Sequence, residues 1–255
     1  MSFIDGLGKI VKGVGGFLSS NTIGSSLAKT ALIGFALNKV NKSIKNAQSN
    51  VNIQQSPITL NPDTTNSVPV LYGTGYVKGS VTDAYLEPDN KTMWVCITLC
   101  EKTGNKIDGS PSYINFQQVF FNGFKLTLNS DGYTVSKAYD DEGNSTTDFN
   151  NQIEIYPFSG SSDNPVRITS ESGQNYTPAY DLFPSWTTDH DMSDLVFVLI
   201  KIKYNPEKNI NNIGNWEFKL SNTMSAPGDV LYDYMTNTRY GAGIDPAEIY
   251  SQWRA

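Results

Sequence analysis

Tyr113-Ile114-Asn115-Phe116-Gln117-Gln118-Val119-Phe120-Phe121-Asn122-Gly123-Phe124-Lys125-Leu126-Thr127-Leu128 holds two runs of β-branched and aromatic residues joined by Asn-Gly. A type I′ turn needs positive φ at both central positions, and Asn-Gly supplies it, so the stretch predicts a β-hairpin. Val68–Leu71, Thr92–Leu99, Gln152–Tyr156, Leu195–Tyr204 and Trp216–Leu220 also read as strands bounded by Gly, Asn or Asp. In Leu195–Tyr204 the residues Val196, Val198, Ile200 and Ile202 share one face, and Lys201 and Lys203 take the other as the strand leaves the core. Tyr76-Val77-Lys78 is read as continuing strand, with Gly73, Gly75 and Gly79 marking a bulge or close backbone approach rather than a phosphate cradle. The stretches 129–150 and 158–176 read as polar loops. After Pro227 the period becomes helical: Asp229 is placed to cap a helix with Val230, Leu231, Tyr234 and Met235 on one face, ending near 237–241. A last short helix is predicted from Pro246 through Ile249 to Trp253. The expected fold is mainly β (α+β), a β-barrel-like domain over 68–255 with a helix near 228–238.

Residues 1–48 are of another kind. Phe3, Leu7 and Ile10, then Leu27, Leu32 and Phe35, recur at helical spacing, weakened in the first segment by Gly6, Gly8, Gly13, Gly15 and Gly16, and a polar linker over 49–67 follows. Asp5 sits where a signal peptide needs positive charge, and Lys29, Thr30 and Asn38 interrupt the longest apolar window, so neither a leader nor a membrane span is predicted. An amphipathic helical hairpin remains. It can lie on the chain's own body or a symmetry mate, on a partner's helices, or on an anionic bilayer surface. Six lysines against Asp5 give residues 1–46 a charge of +5, so with a total of −6 the remainder carries −11. Such an acidic body repels phosphate backbones, and no nucleic-acid partner is expected for it.

Chemistry finds few footholds. With one histidine, no HExxH, no CxxC pair and no GxxxxGK loop, zinc and nucleotide-hydrolase readings fail, and Cys96 and Cys100 read as buried thiols. Asp189, His190, Asp191 and Asp194 put an imidazole among carboxylates, but in a polar turn just before a strand, where a solvated histidine is the simpler reading. Asp140-Asp141-Glu142-Gly143 lacks the ligand spacing of an EF-hand loop. No catalytic, cofactor-binding or metal-binding residue is expected. Aromatic residues are abundant, and Tyr133, Tyr139, Tyr156, Tyr176 and Tyr180 lie in or beside loops, as pins of those loops or as a sugar-binding platform.

Val68-Pro69-Val70-Leu71-Tyr72-Gly73 followed by Tyr76-Val77-Lys78-Gly79 resembles the "P-V-V-Y-G-x-x-x-V-G-G" opening of the tail-tip central hub proteins of long-tailed bacteriophages, the host-specificity family typified by the lambda tail protein J. Trp94–Glu101, Ile107-Asp108-Gly109 and Val119–Gly123 resemble that family's strand ending in "L-C-E-G", its short turn and its following hairpin. Leu195–Tyr204 and Trp216–Leu220 resemble its next two strands. Leu231–Ile244, with Arg239-Tyr240-Gly241-Ala242-Gly243-Ile244, is similar to its "D-Y-L-x-N-x-R-Y-G-x-G-I" helix and turn. The likeness covers about 70% of the chain, from 68 to 244. It departs at Lys102, where the family has glycine after the glutamate, and at Lys78, which stands for the first glycine of "V-G-G".

The resemblance implies a non-enzymatic structural protein of a phage virion, at the tail tip or baseplate hub. It would act as a homotrimer that closes the tail tube and connects a tail-tube or distal tail protein to the tape-measure C terminus. The family's later domains are missing after Ala255, so further hub or fibre chains are expected to supply them. The N-terminal hairpins would lie near the trimer axis against the tape measure, with membrane contact ranked behind. Tyr72, Gly73 and Gly79, and Arg239, Tyr240, Gly241 and Gly243, are expected to form two corners supporting a subunit interface, with a purely intradomain role as the alternative, and Gly241 as the left-handed cap of the helix with Arg239 at its carboxyl end. The alternatives are a carbohydrate-binding adhesin module of the tail or a cell-wall-degrading tail enzyme.

Overall fold

The computed structural model describes residues 67–249 except Ser170, Ser172 and Asn209, all within one unit that begins at Asn66. Phe3, Leu7, Ile10, Leu27, Leu32 and Phe35, and the linker up to Asn66, lie outside the described residues. The domain is mainly β, with two antiparallel sheets and few helices.

Six strands form sheet 1: β1 (Thr74–Val77), β4 (Ile114–Phe121), β5 (Phe124–Leu128), β6 (Val135–Tyr139), β7 (Ser145–Thr146) and β10 (Trp216–Asn222). Their spatial order is β1-β10-β4-β5-β6-β7. Sheet 2 is β2 (Ser80–Leu86), β3 (Thr92–Glu101), β8 (Ile153–Ser159) and β9 (Leu195–Lys203), in the order β2-β3-β9-β8. The β4–β5 hairpin is the one read from the sequence, with φ of 51° at Asn122 and 87° at Gly123.

Sheet 2 is covered on both faces. Trp94, Cys96, Tyr156, Phe158, Phe197 and Leu199 point one way and pack with Ala179, Phe183 and Trp186 of the 160–194 connection. That connection carries α1 (Ala179–Leu182). The alternate residues Val95, Ile97, Leu99, Ile153, Ile155, Val196, Val198 and Ile200 are fully or nearly fully buried on the other face. Near-continuous apolar burial of this kind is what a doubly covered strand requires. Sheet 1 buries one face, with Phe116, Val119, Phe121, Leu126, Val135, Phe218 and Leu220 inward.

Four expectations are corrected here. No barrel closes among the described residues: the sheets are separate ladders, tied by isolated bridges such as Val70 to Glu101 and Thr134 to Glu154. Val68–Leu71 is not a strand. Val70 makes one bridge, the Leu71 carbonyl accepts from the Asn222 side chain at 2.7 Å, and Gly73 turns at φ +67°. Tyr76-Val77-Lys78 does not run on either, because the chain leaves sheet 1 after Val77 and enters sheet 2 at Ser80. Gly79 makes that switch at φ +71°, and a Cβ there would stand 2.6 Å from the Ile97 side chain. Finally, the described residues at Pro246 form a three-residue 3-10 turn, Pro246–Glu248, capped by the Asp245 carboxylate, which accepts from the Ala247 N–H at 2.9 Å, and the predicted run on to Trp253 lies outside the described residues.

Candidate functional site at the Asp233 corner

The second helix, α2, spans Pro227–Thr236 with proline in its first turn. Its docking follows the amphipathic reading in part, with Val230 and Met235 half-buried. Leu231 is 40% exposed and Tyr234 55%, while the one buried residue of the helix is Asp233, at 2%. Asp229 is not the N-cap: Ala226 holds that position, and the Asp229 carboxylate instead accepts the Ile107 N–H at 3.1 Å. One turn on, Asp233 Oδ1 accepts the Gly104 N–H at 2.9 Å. Residues four apart share a helix face, so both carboxylates meet the backbone of the 102–111 loop.

Asp233 Oδ2 accepts two phenols, Tyr72 at 2.7 Å and Tyr240 at 2.6 Å. The two corners picked out from the sequence therefore converge on one carboxylate. Burial, then the bond to Asp233, pushes both phenols well above their ordinary value, which keeps them protonated and donating. Gly104 has no room for a side chain, since a Cβ there would stand 2.7 Å from Asp233 Oδ1. Beneath lies a buried polar cluster. The Asn222 amide donates to the Leu71 carbonyl and to Thr103 Oγ1 at 2.7 and 2.9 Å, and Thr103 and Ser112 share a bond at 2.7 Å.

The corner after α2 supplies the helix with its missing partners. The last-turn carbonyls of Tyr234 and Met235 accept from Ala242 and Ile244 N–H at 2.8 Å each, and Asn237 Oδ1 accepts the Arg239 N–H at 2.9 Å. Gly241 is not the left-handed residue; Gly243 is, at φ +66°. Gly241 is needed for closeness instead, because a Cβ there would lie 2.1 Å from the Tyr234 carbonyl oxygen. Arg239 lies beyond the helix, not in its last turn. Its guanidinium bridges Glu101 at 2.9 Å and Asp194 at 3.1 Å, and donates to the Ser193 carbonyl at 3.2 Å. Gly73 joins the same region through its N–H to the Met224 carbonyl at 3.0 Å, whereas Gly79 serves the sheet switch.

The other candidates are dispersed. The His190 ring stacks on Trp186, centroids 5.5 Å apart, and its Nδ1 meets the Thr187 N–H at 3.1 Å, while Asp191 turns to Ser193 and Asp194 to Arg239. Asp140 accepts the Glu142 and Asn144 N–H groups as a turn former. Cys96 and Cys100 are free and buried. Of the five loop tyrosines, Tyr133 stacks on Tyr156 at 5.0 Å and Tyr180 donates to Asp163 at 2.6 Å, so these pin their own loops. Tyr176 is 77% exposed.

Sequence reading missed Asp233, Gly104, Thr103, Ser112 and Asn222. The available signal was the pair Asp229 and Asp233 at helical spacing, which marks a helix face that seeks N–H and O–H donors. Chemically, a carboxylate holding three donors from three separate segments is a clamp: it fixes α2, the Tyr72 corner and the 102–111 loop together. No protein-family model and no curated protein matches the chain.

Proposed function

We propose that this chain is a structural subunit of a bacteriophage tail tip or baseplate hub, a homotrimer that closes the tail tube and joins the tape-measure C terminus and a tail-tube or distal tail protein to further hub or fibre chains. The observation that carries the reading is the meeting of the first and last motifs of the resemblance: Tyr72 and Asp233, 161 residues apart, are bonded to each other, and Tyr240 joins them. Motif residues that a hub fold would need for its shape are here the ones that lock it. The central motif, Trp94–Glu101, occupies the doubly covered strand β3, and the two-sheet body serves as the hub domain.

The test is to label this chain in assembled tail particles and image them. Density from the label on the tail axis at the tip is expected, together with a trimeric mass for the purified full chain. A label on distal fibres overturns the proposal. A monomer that binds glycans through Tyr176, or that hydrolyses peptidoglycan, replaces it with the adhesin or the enzyme reading.

A further inference from the structure

Residues 227–249 are held to the rest of the domain by different forces from those that hold the sheets. We infer that they form a strap that opens from the β body as a unit while both sheets stay folded, with Asp233 and Arg239 as its two latches. A ten-residue helix is marginal alone in water, and α2 has neither a side-chain N-cap nor a basic residue in its last turn, so docking keeps it formed. Yet no apolar residue of the helix is fully buried: Leu231 and Tyr234 face solvent, Val230, Tyr232 and Met235 are half-buried, and Ile249 is the one buried apolar side chain of the strap among the described residues.

The strap's outward ties include Asp229 to the Ile107 N–H, Asp233 to the Gly104 N–H and Tyr72, and Arg239 to Glu101, Asp194 and the Ser193 carbonyl. Each of these groups regains a water partner on opening, so the net loss per contact is small, whereas parting two strands of sheet 2 exposes apolar surface with nothing in exchange. The bonds from Ala242 and Ile244 to the end of α2 and from Tyr240 to Asp233 lie inside the strap and travel with it. Burial, together with the nearby Asp194 charge, raises the Glu101 carboxyl above its ordinary value against the opposing Arg239, so this contact is held against a desolvation cost. Local opening of a polar-latched segment below the free energy of global unfolding is the expected consequence.

Native-state hydrogen exchange on the full chain tests this. The amides of Val230, Asn237, Ala242 and Ile244 should exchange at least about 100-fold faster than those of Ile97 and Val198, measured against their intrinsic rates. Asp233→Asn should speed the strap amides a further tenfold or so and leave β3 and β9 unchanged. Arg239→Gln, a milder change at the second latch, should act severalfold in the same direction. If wild-type strap and sheet amides share one opening free energy, or if both variants accelerate strap and sheet equally, the strap is part of the cooperative core and the inference falls.

Discussion

Sheet 2 and the Asp233 corner solve the same problem, fixing a segment against the body, with opposite materials. In sheet 2 the strands β3 and β9 are buried on both faces, and rings such as Phe158 and Phe197 stack at 5.0 Å. At the corner, a helix turns its carboxylates inward and leaves Leu231 and Tyr234 in water. Apolar burial is non-directional and adds up with area, so it supports a large body but does not choose among similar packings. A carboxylate bound by three donors chooses one geometry and adds little net stability. Stability and shape are thus carried by separate parts of this domain, and each can be attacked alone.

The largest effect should come from the apolar part. Phe197 is fully buried, between Phe158 at 5.0 Å and Trp186 at 6.1 Å, and Phe197→Ala should cost about 3–5 kcal/mol. A denaturant titration read by tryptophan fluorescence for the sheets and by amide exchange of α2 for the corner should show one lowered midpoint for both. Loss of the corner alone would reverse the comparison.

Alkali should attack the two regions in order. Burial lifts the Cys96 thiol, and likewise Cys100, from an ordinary 9.0 to about 12. The folded chain keeps these protons after the unfolded chain has released them, so their contribution is complete below pH 9 and is lost as the pH climbs toward about 12. The raised phenols of Tyr72 and Tyr240 follow the same sign from their ordinary value of 10.0 upward. Urea midpoints taken from about pH 8 to about pH 12 should fall throughout, and Cys100→Ala should flatten the early part of the decline. A midpoint that rose with pH would contradict both assignments.

At the corner the effects shrink and become interdependent. Tyr72→Phe removes the donor that ties Asp233 Oδ2 to the body and should cost about 1–2 kcal/mol in exchange stability of α2, whereas Tyr240→Phe removes a bond that travels with the strap and should cost less. Because the phenols share one oxygen, the double variant should depart from additivity by about 0.5 kcal/mol or more. Additive losses would mean that the two hydroxyls act independently and not through a shared carboxylate oxygen, and no loss would leave the rings, which phenylalanine keeps, as what matters.

What the sequence made legible follows the same division. The hairpin at Asn122-Gly123 and the strands around Trp94–Leu99 and Leu195–Tyr204 were readable because period and turn chemistry are local. Strand β2, Ser80–Leu86, escaped because Thr82 and Asp83 interrupt its apolar pattern, and Asp83 is there to accept the Trp186 indole N–H at 2.8 Å, 103 residues away. Strand β6 hid in a polar stretch for want of more than Val135 and Ala138. The helix at 227–236 was found by its period, yet Leu231 and Tyr234 of its predicted apolar face are exposed and Asp233 is buried, since nothing local tells that the donors for Asp233 come from residues 72, 104 and 240. Tyr72 on one side and Arg239 and Tyr240 on the other were read as two separate corners, without the carboxylate that brings Tyr72 and Tyr240 together.

The smallest expected effect tests whether the second latch is held by charge or by shape. Arg239 is partly exposed and bridges Glu101 and Asp194, and exposed pairs contribute about 0.2–1 kcal/mol, so Arg239→Gln should leave the global denaturation midpoint nearly unchanged. Glutamine retains a donor for the Ser193 carbonyl but carries no charge to oppose Glu101, whose carboxyl burial already raises. The uncompensated carboxylate then favours states in which it meets water, and those are the states in which the corner is open. Raising salt should weaken the wild-type contact toward the variant's level and leave the variant itself little changed, since there is no pair left to screen. Equal salt sensitivity in the two proteins would show that Arg239 packs as a hydrocarbon stem over the corner, and that its charge contributes nothing to closing it.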